Sequence, residues 1–497
     1  MSNVKSQNDR IIFGLKVKQL RQERELSSSD LAKNAGLSIS YLNEIEKGKK
    51  FPKEDKLDGL AKALGVQAAE LSKPELSGAL APVEELLRSN FLNELPLELF
   101  GIELSKVVEI IANAPLRVGA FISTLVQLSR NYALREDHFF HGAMRAYQEM
   151  HFNYFEDIEM AAERFVKLYD IPTDGAVPVE LLGNLLRNRF NYEIIPDGLS
   201  EYPELQEFHA VYIAKHRRLL LNSALSPIQQ AFQFAKELGF AYMELNERSG
   251  TSTLVRVRSF EQVLNHFKAS YFAVALLMNQ ESFLERLQQF FQQQYWDGEG
   301  FLQLMRHYQA SPEMLFQRLT SLIPKHFGVN QLFFLRIVNH TQTDDFQIDR
   351  ELHLNHQHHP HSNRMSEHYC RRWLSLSLLK DLNAMQANGK YIGTIVGAQR
   401  SKYIGTDDEY LCLSLARPDS LGNGRNFSVT IGFLLNDELK EAIRFWDDVK
   451  IVERQVHTTC ERCAIADCSE RAYPATYIEK KKHRRQMQEV LKNIMEA

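Results

Sequence analysis

The sequence predicts a multi-domain protein that is mainly α-helical with α+β parts. We expect an all-α N-terminal domain, a helical bundle, an α/β middle domain and a β-containing C-terminal domain. Three observations carry this prediction. The 497 residues suffice for about three domains of ordinary size. Short helices with capping and turn signals fill residues 10–71, and alternating strands replace helical spacing between residues 331 and 434.

The composition is that of a globular chain, with 44% hydrophobic and 25% charged residues. The 59 basic and 63 acidic side chains leave a formal charge of −4, so contact with nucleic acid would need a local basic patch. The polar N-terminus lacks an apolar signal segment, and no stretch approaches the ~18 apolar residues of a membrane span. We therefore expect a cytoplasmic protein without membrane contact.

The N-terminal domain, residues 1–72, contains two helices joined by a tight turn. Ser27 can cap the first helix, with Asp30 as its partner in a capping box. Gly36 suits the left-handed residue that ends this helix, and Ser38 can cap the next one. The pattern predicts helix, glycine turn, helix.

The second of these helices presents a polar outer face. Leu42 and Ile45 share the face that can pack inward, so short polar side chains point away from the core. Such a face is what reading of the DNA major groove requires, and the lysines that follow can contact phosphate. The predicted DNA-binding residues are Ser28, Ser38, Ser40, Tyr41, Asn43, Lys47 and Lys49.

The run from Gly36 to Gly48 resembles the helix-turn-helix of the phage-repressor-like, xenobiotic-response-element family of bacterial regulators. The resemblance implies binding to double-stranded DNA. Family members usually carry Gln at the second residue of the first motif helix, and Ser28 stands there in this chain. The alternative interpretation is a helical hairpin that serves protein contacts alone.

A Pro-containing stretch of small residues, 72–82, predicts a linker, and residues 83–168 follow with helical spacing. We expect a helical bundle there. Because operators of such proteins are usually two-fold, the bundle is predicted to form a homodimer or a higher homo-oligomer. A packed layer within one domain is the alternative.

Residues 169–325 have mixed α/β character, with a long helix predicted from Pro227 to Leu245. This helix and the run from Ala269 to Met278 resemble the ImmA/IrrE metallopeptidase-like family. In that family two His at i and i+4 hold zinc and a Glu acts as base. Here Lys236 and Phe240 occupy the two His positions, so we predict a peptidase fold without catalytic residues, and a structural role for Glu237.

The C-terminal domain, residues 326–497, ends with three cysteines within nine positions. The spacing of Cys460, Cys463 and Cys468 can direct three thiols towards one metal centre. We predict an iron–sulfur cluster or zinc at these residues. His457, Cys370, Cys412 or an exogenous group could supply a fourth ligand, and three reduced thiols without metal are the alternative.

From end to end the chain resembles the short-chain fatty acyl transcriptional regulators. Besides the helix-turn-helix, the resemblance rests on the runs 147–155, 271–278 and 366–373 and on the terminal pattern from Cys460 to Pro474. It implies a repressor-like DNA head, a peptidase-like middle domain that has lost its zinc motif, and a family-specific C-terminal domain. It also implies an acyl-CoA effector and, with this Cys pattern, an iron–sulfur cluster.

A CoA thioester carries phosphates and an acyl arm, so its site needs cations at a rim and an apolar slot. We predict Lys215, Arg217, Lys236 and Phe240 as effector-binding residues, with core packing and a solvated strand end as the alternative. The leading hypothesis is therefore a DNA-binding regulator of short-chain acyl metabolism without enzymatic activity. The competing hypotheses are an antitoxin-like or stress-response regulator that holds a protein partner, and a repressor-cleaving metallopeptidase.

Overall fold

The computed structural model describes residues 7–73, 136–252, 257, 259–341, 343–354, 367–390, 393–419 and 424–496. The chain divides into two compact units. One comprises Met1–Ala143 with Val257–Glu261, and the other comprises Met144–Arg256 with Gln262–Ala497. The mainly α-helical, multi-domain organisation with α+β parts is confirmed. Most of the bundle predicted for residues 83–168 lies outside the described residues.

The described N-terminal part is a five-helix domain. Leu42 and Ile45 are fully buried in its core, as the apolar spacing predicts. A Cβ added to Gly14 would lie 2.2 Å from the carbonyl oxygen of Ile45, so the first helix crosses the third at backbone contact. The helices are α1 (Gln7–Glu23), α2 (Ser28–Asn34), α3 (Ile39–Glu46), α4 (Glu54–Ala63) and α5 (Ala68–Leu71).

Local signals determine how α2 and α3 begin and end. The Ser27 hydroxyl accepts the backbone N–H of Asp30 at 3.1 Å, and the Ser38 hydroxyl accepts that of Tyr41 at 3.1 Å. Gly36 has φ +66°, the left-handed conformation that ends α2. The sequence prediction of a capped helix, glycine turn and capped helix is confirmed.

The larger unit contains most of the remaining helices around two sheets. The predicted helix from Pro227 ends at Tyr242 instead of Leu245 and starts with a capping box between Ser226 and Gln229. The helices are α6 (Glu136–Met150), α7 (Glu156–Tyr169), α8 (Val179–Phe190), α9 (Pro227–Tyr242), α10 (Phe260–Leu277), α11 (Gln280–Phe291), α12 (Gly298–His307), α13 (Pro312–Phe327), α14 (Leu374–Ala387), α15 (Asp437–Ala442) and α16 (Thr476–Glu496).

A buried ion pair connects the helices of the middle region. Arg318 of α13 is 1% exposed and donates to both carboxylate oxygens of Glu159 on α7. Its Nε donates to the Met278 carbonyl at 3.0 Å, and the Tyr271 hydroxyl donates to Glu159 at 2.8 Å. Because each charge in this network has several partners, it can remain buried without an unsatisfied polar group.

The small sheet has three strands in the order β1-β3-β2, with β1 parallel and β2 antiparallel to β3. The large sheet has six strands in the order β5-β4-β8-β7-β6-β9, antiparallel except for the β6–β9 pair. The strands are β1 (Glu193–Ile195), β2 (Ala210–Ile213), β3 (Arg218–Leu221), β4 (Leu332–His340), β5 (Phe346–His353), β6 (Ile395–Tyr403), β7 (Glu409–Pro418), β8 (Arg425–Leu434) and β9 (Val452–Val456).

The two faces of the large sheet differ in what covers them. Leu335 and Ile337 of β4 are buried in one apolar cluster with Leu376 and Leu379 of α14. Because side chains alternate along a strand, Arg336 lies on the opposite face, where its Nε is 3.3 Å from Glu313 of α13. This second face carries the polar cavity described below. Among the described helices, none combines the length and apolarity needed to cross a lipid bilayer.

Candidate functional site

The outer face of α3 is polar and exposed. Ser38, Ser40, Asn43 and Lys47 are exposed, whereas Leu42 on the opposite face is fully buried. Lys49, just beyond the helix, is exposed as well. Ser28 begins α2 and is half-buried. The structure therefore brings most of the predicted DNA-binding side chains to one surface built by α3 and the turn that follows it.

Tyr41 differs from the prediction, which directed it away from the core. Its ring is half-buried and packs against the apolar core of the domain. The Lys50 ammonium lies 5.7 Å from the ring centre and 2.8 Å from the Glu44 carboxylate. Glu44 raises the pKa of Lys50 and offsets its charge. Tyr41 therefore supports α3, and Lys50 is a weaker source of positive potential than its position suggests.

An ion pair that the sequence analysis missed holds α3 against α1. Arg21 of α1 donates to both carboxylate oxygens of Glu46, at 2.7 and 3.0 Å. Its remaining nitrogen donates to the Leu26 carbonyl at 3.0 Å, and Glu46 is only 5% exposed. Glu46 raises the pKa of Arg21. The pair fixes the orientation from which α3 presents its polar face.

In the middle domain, the Arg248 side chain contacts two residues of the altered zinc motif, Glu237 and Phe240. Its guanidinium donates two hydrogen bonds to Glu237, at 2.7 and 2.6 Å. Its central carbon lies 3.7 Å from the Phe240 ring centre and 4.2 Å from that of Tyr212. The Tyr192 hydroxyl also donates to Glu237. Glu237 is thus part of a buried ion pair, in agreement with the structural role that the sequence predicts.

The cations of this region make it unsuitable for a divalent metal. The ring of His266 lies 5.2 Å from that of Phe240. Burial, followed by the charges of Lys236 and Arg248, lowers the pKa of His266 to about 3. This imidazole is therefore neutral. The positive charges of Lys236 and Arg248, which lower its pKa, would also repel a metal cation bound beside it.

A cavity of about 210 Å³ lies beside Lys236, between α9, α13 and the large sheet. Four basic and two acidic side chains are among the described residues that line it. The basic ones are Lys236, Arg336, Arg350 and Arg417, and the acidic ones are Glu313 and Asp419. Ile228, Phe232, Met314 and Phe427 contribute apolar surface. The excess of positive side chains indicates a site for an anion.

The arginines of the cavity are held in position by neighbouring strands. Arg336 and Arg417 lie 4.5 and 4.8 Å from the centre of the Phe427 ring, and both contact the Glu313 carboxylate. Burial opposes ionisation of Glu313, but Arg417 and Arg336 outweigh it and lower its pKa. Arg336 also pairs with Asp349. The carboxylates of Glu313 and Asp349 thus offset part of the positive charge of Arg336, Arg350 and Arg417.

Arg350 stands directly opposite Arg336 across the β4–β5 pair. Like charges at paired positions destabilise a sheet, and the neighbouring Asp349, which pairs with Arg336, offsets part of this repulsion. The Arg350 side chain is solvent-accessible in the cavity, yet enough protein surrounds it for desolvation to lower its pKa, with a further contribution from Arg336. An anion bound near the two guanidinium groups would relieve the repulsion that Asp349 and Glu313 leave.

The four predicted effector-binding residues do not form one site. Lys236 lines the cavity, whereas Phe240 contacts Arg248 and His266. Lys215 is exposed on the short 3₁₀ turn Ala214–His216, and the Arg217 guanidinium donates to the Phe190 carbonyl at 2.9 Å. Neither Lys215 nor Arg217 is among the residues that line the cavity. Arg336, Arg350 and Arg417, which the sequence analysis missed, are the cations beside Lys236.

The C-terminal cysteines lie in a loop that one arginine holds. Cys460 and Cys463 are buried and Cys468 is half-buried. The Arg471 guanidinium donates to the carbonyl groups of Cys460, Cys463 and Ile465. Burial, with smaller contributions from Cys460 and Cys463, raises the pKa of the Cys370 thiol to about 11. Within the described part of the chain, no three His, Cys, Asp or Glu side chains are arranged to hold a metal.

Models of known protein families match two of these regions, the N-terminal domain and the middle domain. A helix-turn-helix domain model matches residues 12–73, and an IrrE N-terminal-like domain model, Peptidase_M78, matches residues 197–320. The control protein C.BamHI of Bacillus amyloliquefaciens is 37% identical over 65 residues, which are 13% of this chain and 80% of that protein. The chain belongs to the helix-turn-helix family of DNA-binding regulators.

This regulator is also similar to two other proteins. The immunity repressor protein of Bacillus phage phi105 is 40% identical over 58 residues, which are 12% of the regulator, and the regulator spans 40% of the repressor's length. A solved structure described as a Mycobacterium tuberculosis transcriptional regulator is 20% identical. The match covers 66% of the regulator and 92% of the solved chain, with a TM-score of 0.47. The regulator is a sequence-specific DNA-binding transcription factor.

Proposed function

We propose that this regulator controls genes of short-chain fatty acyl metabolism in the cytoplasm, and that an acyl-CoA-type effector alters its affinity for an operator. The full-length resemblance to the short-chain fatty acyl regulators suggests the effector class. The observation that carries the proposal is the positively charged cavity beside Lys236. Cations and apolar side chains in one cavity are what a ligand with phosphates and a short acyl arm requires.

The size of the cavity limits how such a ligand would bind. Its 210 Å³ are below the ~300–1,000 Å³ of typical ligand sites. A short acyl group can lie against Ile228, Phe232 and Met314, and the diphosphate can pair with the arginines. The adenosine end would remain outside this volume. On this proposal, the regulator distinguishes one acyl-CoA from another mainly through contacts with the acyl end.

Calorimetric titration of acetyl-CoA and propionyl-CoA, with and without operator DNA, tests the proposal. We expect the effector to bind in both titrations, with an affinity that differs between free and operator-bound protein. By thermodynamic linkage, the effector must change the affinity for the operator by the same factor. Arg350→Ala should weaken effector binding at least ~tenfold, because a charge-assisted contact is lost. The control is Arg218→Ala, which removes an exposed partner of Glu193 outside the cavity. Equal affinities with and without operator, or no binding, would refute the proposal.

We further propose that the middle domain does not cleave peptides. Lys236 and Phe240 cannot ligate zinc, and the Arg248 guanidinium occupies both carboxylate oxygens of Glu237. The general base of the zinc mechanism is therefore engaged in an ion pair. The domain would act as a ligand-binding element that positions the cavity between α9 and α13.

Cys460, Cys463 and Cys468 remain our predicted ligands for an iron–sulfur cluster or zinc. The described side chains do not fit a metal as they stand, so the loop held by Arg471 would have to close around it. We expect anaerobically purified protein to contain iron or zinc, and a variant with all three cysteines replaced by serine to lack it. Metal-free wild-type protein that is fully folded would contradict this prediction.

We propose that the regulator binds its operator as a homodimer or a higher homo-oligomer. Helix-turn-helix proteins recognise two half-sites about one helical turn apart, and each half-site needs one α3. An effector that changes the spacing of two heads would change operator affinity without touching DNA. This step connects the cavity to the proposed regulation.

A further inference from the structure

Lys236 is an enclosed amine that forms no ion pair with a carboxylate among the described residues. It is 6% exposed and lines the cavity. Within the described part of the chain, its amino group donates one hydrogen bond, to the Ser252 carbonyl at 3.2 Å. The neighbouring carboxylate, Glu237, directs both oxygens to Arg248. The local arrangement therefore does little to hold Lys236 in its charged form.

The surroundings make the neutral amine of Lys236 more populated than that of an exposed lysine. Burial lowers the pKa of Lys236 to about 8, and the charges of Arg248 and Arg350 act in the same direction, while Glu237 opposes them. At neutral pH about a tenth of the Lys236 side chains are then uncharged, far more than for a lysine at the ordinary value of ~10.4. An uncharged lysine amine in an enclosed site is a nucleophile.

We propose that Lys236 is an acyl acceptor, whose Nζ attacks the carbonyl carbon of a short-chain acyl thioester held in the cavity. This inference rests on the proposed effector class. The new bond is an amide between Nζ and the acyl carbon, and the bond that breaks joins that carbon to sulfur. The amine loses a proton and the thiolate gains one, so free CoA thiol leaves. No oxidant, reductant or metal takes part.

The structure explains why acylation at this position would persist and matter. The amide is neutral, so acylation removes one positive charge beside Arg248 and Arg350, and the remaining N–H can still donate to Ser252. The acyl group would lie near Phe232 and Ile228. Because the cavity would then have lost a cation, a second anionic effector should bind less well. Reversible effector binding would thus be followed by a stable covalent modification that persists after the acyl thioester is gone.

Incubation of the full-length protein with propionyl-CoA, followed by peptide mass spectrometry, tests this proposal. The exposed Lys215 provides a control within the same chain. We expect acyl occupancy at Lys236 to exceed that at Lys215 at least ~tenfold. Its rate should rise with pH through about 8, where half of the amine is deprotonated, and level off more than one pH unit higher. A CoA thioether analogue, which has no acyl group to transfer, should protect Lys236 by competition.

The outcomes separate this inference from the proposed function. Binding of propionyl-CoA by calorimetry without acylation of Lys236 overturns the acyl acceptor and leaves the effector proposal standing. Equal occupancy at Lys236 and Lys215, or no protection by the thioether, also overturns it, since the chemistry would then be non-selective. No binding and no acylation overturn both. In the Lys236→Arg variant, the peptide that contains residue 236 should lose the added acyl mass. If this variant fails to fold, competition by the thioether on wild-type protein tests the site of acylation instead.

Discussion

Replacing Glu46 with alanine should destabilise the DNA-binding domain by about 3 kcal/mol and weaken operator binding. The substitution leaves the Arg21 guanidinium largely buried without its carboxylate, and breaking a buried pair from one side costs ~3–5 kcal/mol. We take the lower end because Arg21 retains some solvent contact. A small domain has only ~5–15 kcal/mol of stability, so this loss is a large share of it, and α3 would also lose the contact that fixes its orientation against α1.

The neighbouring Glu44 supplies a matched control for Glu46. It pairs with Lys50 on the surface, where an ion pair contributes little, so Glu44→Ala should leave stability almost unchanged. Urea titration followed by hydrogen exchange at the amides of α1 and α3 measures the stability of this domain in the full chain. An Arg21→Met/Glu46→Leu variant should recover stability, because apolar residues can replace a buried pair. A Glu46→Ala protein as stable as Glu44→Ala would contradict the assignment.

The helix-turn-helix could be predicted from sequence because its signals are local. Ser27, Gly36 and Ser38 act within three or four residues of their positions, and each has the conformation expected of it. Tyr41 shows where such reasoning fails. Its place on the helix suggested an outward side chain, but an aromatic ring at the boundary of a small core gains more from packing than from water.

The ligand cavity could not be predicted in the same way. Arg336, Arg350 and Arg417 come from three strands, and only the register of the sheet brings them near Lys236. The alternation of Leu335, Arg336 and Ile337 does indicate that Arg336 faces away from the apolar cluster, but not which element covers that face. Lys215 and Arg217 were chosen for their charge and nearness in sequence, and the chain turns them to an exposed corner instead.

Arg248 illustrates a different limit. The sequence shows that the zinc ligands are absent, but it does not show which group replaces the metal's positive charge. The replacement lies eleven residues after Glu237, beyond the end of α9, where no helical spacing relates the two side chains. Only the folded chain brings the guanidinium within contact of the rings of both Phe240 and Tyr212.

Two substitutions on the DNA-binding face should have different effects on operator recognition. Asn43 is exposed on α3, and an amide that reads adenine through two hydrogen bonds discriminates by ~1–3 kcal/mol. Asn43→Ala should therefore reduce the ratio of operator to non-specific affinity by about 5- to 150-fold at fixed salt. Binding to unrelated DNA should change little, because phosphate contacts supply most of it.

Lys49→Ala should instead weaken binding to all sequences by a similar factor. Lys49 is exposed beyond the end of α3, so its ammonium can neutralise a phosphate. Loss of one such contact should lower the slope of log affinity against log salt by about one. Titration of fluorescent operator and scrambled duplexes at several salt concentrations measures both effects. If Asn43→Ala kept the wild-type specificity ratio and Lys49→Ala the wild-type salt slope, α3 would not be the element that reads the operator.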